Sequence, residues 1–353
     1  MASTIDITAL TLNPEEASDI AQLIIEREFV NGVLSQNHDI NTGILYKTQI
    51  PFAGKLSDAV KKSVGCTPNA GGAVALTQKY WDPEIFDVRF THCAADLNKL
   101  FKLFQKEQRI NPDYFDKQGS PEMGMIYSLI SQMLRETLPI KVWFSDIAAD
   151  EVFGGGVLKN GTDIDLYNVF DGLFKQLFAA ITSGSTYHVD IAKNDGTSYA
   201  LQALAADDAF NTLLAMRNKA DERLLEDPNA KFYVTRSLAD NYRDSLRTKT
   251  LTNGYTDITE DGKPILMFDG IPVEVMYVWD RHIKAIQDNG TKWNIPHRAL
   301  LTTPENIPVG TVAESDFETL DSFYDRTLKA NITDIAFSLD AKFLENYMAI
   351  FAY

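Results

Sequence analysis

Apolar residues recur along this chain in two periods, and each period predicts a different kind of element. Asn13-Pro14-Glu15-Glu16 opens a helix: Asn13 can cap it, Pro14 suits its first position, and the two acids favour the positive end of the dipole. Ala17, Ile20 and Ile24 follow at helical spacing until Asn31-Gly32. Leu97, Leu100, Phe101 and Phe104 make a second stripe, ended by Asn111-Pro112. A third helix is predicted over 121–138, with Ser120 as cap and Pro121 in the first turn. Its apolar face is Met123, Ile126, Tyr127, Ile130, Met133 and Leu134. Pro139 should stop it, and the alternation of Ile140, Val142 and Phe144 reads as a strand.

Residues 33–92 follow another pattern, polar and interrupted by Asn41-Thr42-Gly43, Pro51, Gly54, Gly65 and Pro68-Asn69-Ala70-Gly71-Gly72. Short strands are predicted around 44–50, 74–80 and 85–92, where Val88 and Phe90 alternate with Arg89 and Thr91. So much turn with so few large apolar groups implies an extended two-stranded excursion that needs a partner surface.

A loop carrying Gly154-Gly155-Gly156 and Asn160-Gly161 leads into a second mixed region. Helices are predicted near 166–181, 208–226 and 236–248, and strands at 231–235, 265–269, 271–277 and 298–303. Phe210, Leu213, Leu214, Ala220 and Leu224 form the stripe of the middle helix, with Asp207 as its cap. Asp261-Gly262 and Asp269-Gly270 are hairpin signals. Ile335, Phe337 and Leu339 alternate, Asp340 would cap a short helix, and 347–353 reads as a closing strand. The class is α+β, without internal repeats.

Length and charge narrow the functions. A chain of 353 residues suggests two domains or one elaborated one. With 45% hydrophobic and 23% charged residues, wholesale disorder is excluded. Lys and Arg number 33 against 49 Asp and Glu, and a net charge of −16 argues against wrapping nucleic acid with a basic face. Apolar runs fall well short of the roughly 20 residues of a membrane span. The first 30 residues show no signal peptide, so a soluble protein made inside the cell is expected. Cys66 and Cys93 form neither a disulfide framework nor a four-ligand zinc site.

The search for chemistry is largely negative. Gly54-Lys55 and Gly262-Lys263 are followed by Leu56 and Pro264, where a phosphate loop needs Ser or Thr. An EF-hand is nearly spelled from Asp257 through Thr259, Asp261 and Gly262, but position twelve is Phe268, so a hairpin tip is the better reading. Asp163 and Asp165 are spaced like a metal pair, yet Asp165 also suits the start of a helix. His38, His92, His188, His282 and His297 show no zinc spacing, and no Gly-x-Ser-x-Gly elbow exists. Arg281-His282 with Lys284, and Lys292-Trp293, are thin basic-aromatic patches. No catalytic, cofactor-binding or metal-binding residue is assigned, and no cofactor is expected.

The second half carries a resemblance. The run from Lys231 to Tyr242, Lys-Phe-Tyr-Val-Thr-Arg-Ser-Leu-Ala-Asp-Asn-Tyr, resembles a strand-to-helix stretch of the major capsid proteins of tailed bacteriophages. Gly270-Ile271-Pro272-Val273, Trp279-Asp280, the segment from Arg298 to Thr311, Leu339-Asp340-Ala341-Lys342 and Ala352-Tyr353 continue it in order. These pieces span about 231–353, a third of the chain.

The resemblance implies the tailed-phage (Hong Kong 97-type) major capsid fold, shared by encapsulins. Its implied division is an amino-terminal arm at 1–43, an extended β loop at 44–93, and a peripheral domain with a long spine helix at 94–165. An axial domain at 166–324 and a return to the peripheral domain at 325–353 complete it. The implied function is a non-enzymatic shell subunit that assembles with itself as hexamers and pentamers around double-stranded DNA, in the virion, after assembly in the host cytoplasm. Implied partners are a portal, a separate scaffolding protein and head-decoration or head-completion proteins, with DNA held by confinement or weak contact and no membrane. Only about a dozen residues precede the first helix, so no long scaffolding segment is expected within the chain. Some members cross-link a lysine to an asparagine, and no such motif is matched here. Two alternatives stand beside it: an encapsulin-like compartment, and a soluble enzyme or binding protein with a scattered site.

Overall fold

The computed structural model describes residues 33–44, 46–50, 79–93, 121–149, 162–249, 265–311, 319–328 and 330–353. The first two predicted helices, the strand predicted at 74–80 up to its last two residues, the triple glycine and the Asp261-Gly262 turn lie outside them.

In chain order, helix α1 (Val33–Asn37) is followed by strands β1 (Ile40–Asn41), β2 (Thr48–Gln49), β3 (Tyr80–Trp81) and β4 (Glu84–Cys93). Helices α2 (Pro121–Phe144) and α3 (Leu173–Thr182) precede β5 (Tyr187–Val189), then α4 (Asp208–Lys219) and α5 (Glu222–Glu226). Next come β6 (Lys231–Val234), α6 (Arg236–Lys249), β7 (Met267–Phe268), β8 (Ile271–Val275) and α7 (Tyr277–Ile286). Strands β9 (Ala299–Thr302), β10 (Val309–Thr311), β11 (Thr319–Asp325), β12 (Ala330–Ala341) and β13 (Ala349–Ala352) close the order.

Helix α2 is longer than its sequence suggests. Ile130, Leu134, Leu138 and Val142 recur every fourth residue and are buried, while Gln132, Arg135 and Glu136 are exposed. Pro139 lies inside the helix, and 140–144, expected as a strand, are its last turns. An interior proline costs about 3 kcal/mol. Burying a large apolar side chain contributes about 1.5–3 kcal/mol, and Val142, Trp143 and Phe144 are all buried. Burial outweighs the proline, and the apparent alternation is a helix end enclosed on all sides.

Strand β12 organises the first sheet. One edge pairs with β4 from Ala330↔Cys93 to Leu339↔Glu84, and the other with β11 and then β10. Along β4, Phe86, Val88 and Phe90 pack against the core, while Asp87, Arg89 and Thr91 are exposed, as the alternation predicts. Arg89 grips Asp334 directly opposite with two hydrogen bonds, 2.6 and 2.7 Å. This part of the expected excursion therefore finds its pairing inside its own chain. Asp340, expected as a helix cap, lies within β12. The alternating apolar residues before it, and Ala341 after it, carry the strand through.

The six-stranded sheet runs β5-β13-β9-β6-β8-β7. Its central strands are apolar on both faces because both are covered. Tyr233, Leu300 and Phe351 pack with Trp143 of α2, Phe174 of α3 and Trp279 of α7. Phe232, Leu301 and Ile350 pack with Leu213 of α4 and Leu238 of α6 on the other side. Phe268 pairs with Ile271 across a tight turn in which Asp269 and Gly270 both take positive φ, 47° and 84°.

Several helix boundaries move. The helix expected from 166 begins at Leu173, and that expected over 208–226 breaks at Ala220, with Asp221 capping α5 by accepting from the Arg223 amide. Asp207 stands at the start of α4 in a left-handed conformation and makes no side-chain capping bond. Residue 277, expected in a strand, starts helix α7, which buries Trp279, His282 and Ile283.

Strands β2 and β3 pair antiparallel, shorter than the stretch predicted over 44–50. Ile44, Ile50 and Trp81 form a small buried cluster against Leu344. Gly310 lies beside it, where a Cβ would stand 2.7 Å from Ile44 Cδ1 and 2.8 Å from Trp81 Cε3. The Asp82 amide donates to Asp340 Oδ2 at 2.8 Å, and Lys79 Nζ to the Phe343 carbonyl.

Candidate functional site

Segments far apart in the chain meet where β6 gives way to α6. Strand β6 lies parallel to β8 and antiparallel to β9, with Phe232 opposite both Val273 and Leu301. Beyond the strand, the Thr235 amide donates to the Arg298 carbonyl at 3.0 Å, and Thr235 Oγ1 accepts from the Arg298 amide at 3.3 Å. Asp280 Oδ2 accepts from the Arg236 amide at 2.5 Å. Burial raises the Asp280 carboxyl, against the opposing pull of the Arg236 amide and the Lys284 charge. The runs 231–242, 270–280 and 298–311 are thus one structural unit, which ties their order to the fold.

The same junction holds a serine and a histidine in contact. Ser237 Oγ lies 2.7 Å from His297 Nδ1, and His297 Nε2 lies 2.7 Å from the Gln202 carbonyl. A carbonyl only accepts, so Nε2 carries the proton and Nδ1 accepts from Ser237. Nucleophile–base pairs share this geometry. Here the amide of the first residue of α6, a possible oxyanion donor, is given to Asp280. Burial also holds His297 below its ordinary pKa. The pair ties α6 to the 297–298 segment. No sequence spacing signals it, because the partners are 60 residues apart.

His38 and His282 are buried in the core, whereas His188 on β5 is half-buried. His38 Nδ1 donates to the Ile307 carbonyl at 2.9 Å, and burial pushes its pKa down to about 4. His282 stands between the Phe144 and Tyr167 rings, pushed down to about 4 by burial and by the Arg298 and Lys141 charges. Among the described residues no group of three or more His, Cys, Asp or Glu is placed to hold a metal ion. Asp163 Oδ1 accepts from the Asp165 amide at 3.1 Å, which makes this pair a local turn. The EF-hand-like stretch lies mostly outside the described residues, and Phe268 is buried in β7. The two basic-aromatic patches touch, with Lys284 Nζ 5.8 Å over the Trp293 ring, but His282 is buried beneath them.

Arg298 is the most unusual buried group. It is 1% exposed, its guanidinium is 4.5 Å from the Phe174 ring centroid, and no carboxylate pairs with it among the described residues. Nε donates to the Ile295 carbonyl at 2.9 Å, and Nη2 to Gln287 Oε1 at 2.8 Å and the Asn294 carbonyl at 3.2 Å. Burial lowers even this guanidinium to about 9. It lines a cleft of about 240 Å3 with Trp143, Ser145, Asp146, Lys175 and Asn294. Asp146 is paired there with Lys175 at 2.9 Å.

No protein-family model matches the sequence, and no curated protein is similar to it in sequence. Among solved structures, a chain of the satellite phage P4 procapsid, which includes the size determination (Sid) protein, aligns over 97% of this chain and 91% of its own. Its TM-score is 0.52 at 13% identity. A chain of the holo-SrpI encapsulin complex from Synechococcus elongatus PCC 7942 aligns over 90% of this chain and 85% of its own, with TM-score 0.46 and 10% identity. The capsid of cyanophage P-SCSP1u aligns over 90% and 86%, with TM-score 0.44 and 13% identity. The chain has a phage-capsid fold.

Proposed function

We propose that this chain is the structural subunit of an icosahedral phage shell that encloses double-stranded DNA. The observation that carries the reading is the procapsid likeness, which spans 97% of the chain and so takes in α2, the β4–β12 ladder and the six-stranded sheet together. In this reading residues 1–43 are the arm, 44–93 the extended β loop, 94–165 and 325–353 the peripheral domain with α2 as its spine, and 166–324 the axial domain. The subunit pairs with copies of itself in hexamers and pentamers, and portal, scaffolding and decoration proteins would be separate chains. Its place is the virion, after assembly in the host cytoplasm.

The reading is non-enzymatic: the Ser237–His297 pair serves the junction of α6. With a net charge of −16, packaged DNA would be held by confinement, and contact with free subunits should vanish at modest salt. Electron microscopy and light scattering of the purified protein test the proposal. Closed particles that hold DNA support it, small cargo-filled shells point to an encapsulin-like compartment, and a stable 40 kDa monomer (39.5 kDa by sequence) overturns both.

A further inference from the structure

Two buried polar groups without partners belong to residues that line the cleft beside Arg298. An arginine offers five donors, and the three bonds to Ile295, Gln287 and Asn294 engage Nε and Nη2, leaving Nη1. Trp143 Nε1 and Ser145 Oγ are buried with no hydrogen-bond partner, and both residues line the same cleft. Both side chains are almost fully enclosed, Trp143 at 0% and Ser145 at 1% exposure. The one carboxylate lining the cleft, Asp146, is engaged by Lys175 at 2.9 Å and by the Ala148 amide at 2.9 Å. What remains is one buried positive charge together with donors that lack acceptors. Phe174 stacks on that charge but cannot neutralise it.

We infer that this cleft binds a carboxylate, with Arg298, Trp143 and Ser145 as its donors. A guanidinium matches the planar, acceptor-only carboxylate group, and buried donors without acceptors favour a charged acceptor. The volume of about 240 Å3 admits an Asp or Glu side-chain head or a small free carboxylate. Two sources share this chemistry: an acidic side chain of a second copy of this chain, and a small carboxylate from solution. The first source rests on the shell reading, while the cleft chemistry does not.

The test is a titration of purified full-length subunits, before assembly, with sodium acetate against sodium chloride at equal ionic strength, read by calorimetry and by melting temperature. Acetate should bind saturably and raise the melting temperature, with chloride giving no such rise. Ser145→Ala removes only a hydroxyl without a partner, and Trp143→Phe only an indole N–H and part of a ring. Each should fold and weaken acetate binding about tenfold, the effect of losing one charge-assisted hydrogen bond. Gln132→Ala, on the exposed face of α2, should bind acetate like the parent. If assembled particles no longer bind acetate, a neighbouring copy supplies the carboxylate, whereas equal binding in both forms assigns a free one. Equal responses to acetate and chloride, or parent-like affinity in both Ser145→Ala and Trp143→Phe, would overturn the inference. Should no particles form, the subunit titration still decides the cleft, so a failure of the shell reading stays separate.

Discussion

Asp340 Oδ2 accepts a 2.8 Å hydrogen bond from the Asp82 amide, joining positions 258 residues apart in the chain. The Asp340 side chain is wholly buried and is also met by Lys342 Nζ at 3.0 Å. It fixes the base of the β2–β3 excursion to the central strand of the first sheet. Asp340→Ala should destabilise the protein by roughly 1–3 kcal/mol, and Asp340→Asn, which keeps an acceptor, by less. Amide exchange at Asp82 should quicken in the alanine variant. Unchanged exchange there would mean that the base is held by something else.

Gly310 makes a related prediction. Its neighbours Ile44 and Trp81 stand closer than a Cβ tolerates, and Trp81 is enclosed. Gly310→Ala should cost about 1–3 kcal/mol by overpacking. A thermal melt unaffected by the change would show that the cluster can shift aside.

Helix α2 should divide cleanly by face. Ile130→Ala and Leu134→Ala, at buried positions, should each cost roughly 2–5 kcal/mol. Gln132→Ala, at an exposed one, should stay within about 0.5 kcal/mol. Denaturant unfolding of the purified protein separates them. Parent-like stability of Ile130→Ala with loss in Gln132→Ala would mean that the helix is rotated from the face described.

Acid should weaken the fold through its histidines. His38 and His282 are both held near 4, below the ordinary 6.5, so the folded state resists protonation. Their contribution is fully present above 6.5 and is lost as pH falls from there through about 4. Melting temperatures taken from pH 7.5 down to 4.5 should fall across that window. His282 faces the Phe144 and Tyr167 rings and the charges of Lys141 and Arg298. His282→Phe should therefore flatten the fall, and an unaltered pH profile in that variant would remove His282 from the account.

What local pattern could reveal was read correctly where the local pattern decides. Val88 and Phe90 sit on the core side of β4 because a half-buried strand has period two, and Asp269-Gly270 turns where positive φ is needed. The misreadings fall where burial overrules propensity. Pro139 is carried inside α2 by the buried turn that follows it, and Trp279 and Ile283 belong to a helix whose sequence neighbours suggested strand. Asp340 was misplaced because a buried aspartate in a strand makes sense only once the Asp82 amide and Lys342 are beside it. The Ser237–His297 contact and the Arg298 cleft join residues from separate segments, so no spacing in the chain could announce them. The quoted runs at 231–242, 270–280 and 298–311 meet in the fold because β6 bonds directly to both β8 and β9.

The position of β12 and β13 also governs when this chain can fold during its synthesis. Strand β12 stands between β4 on one edge and β10 and β11 on the other, and β13 stands between β5 and β9. Each sheet thus receives an inner strand only after residue 330 has left the ribosome. Until then β4 and β5 face empty lanes, and the nascent polypeptide carries unpaired strand edges through most of translation. Pairing such as Cys93 with Ala330 joins distant positions, so closure is slow and late. A half-made chain therefore has neither sheet complete, and the timing of β12 and β13 becomes a checkpoint on when it is folded.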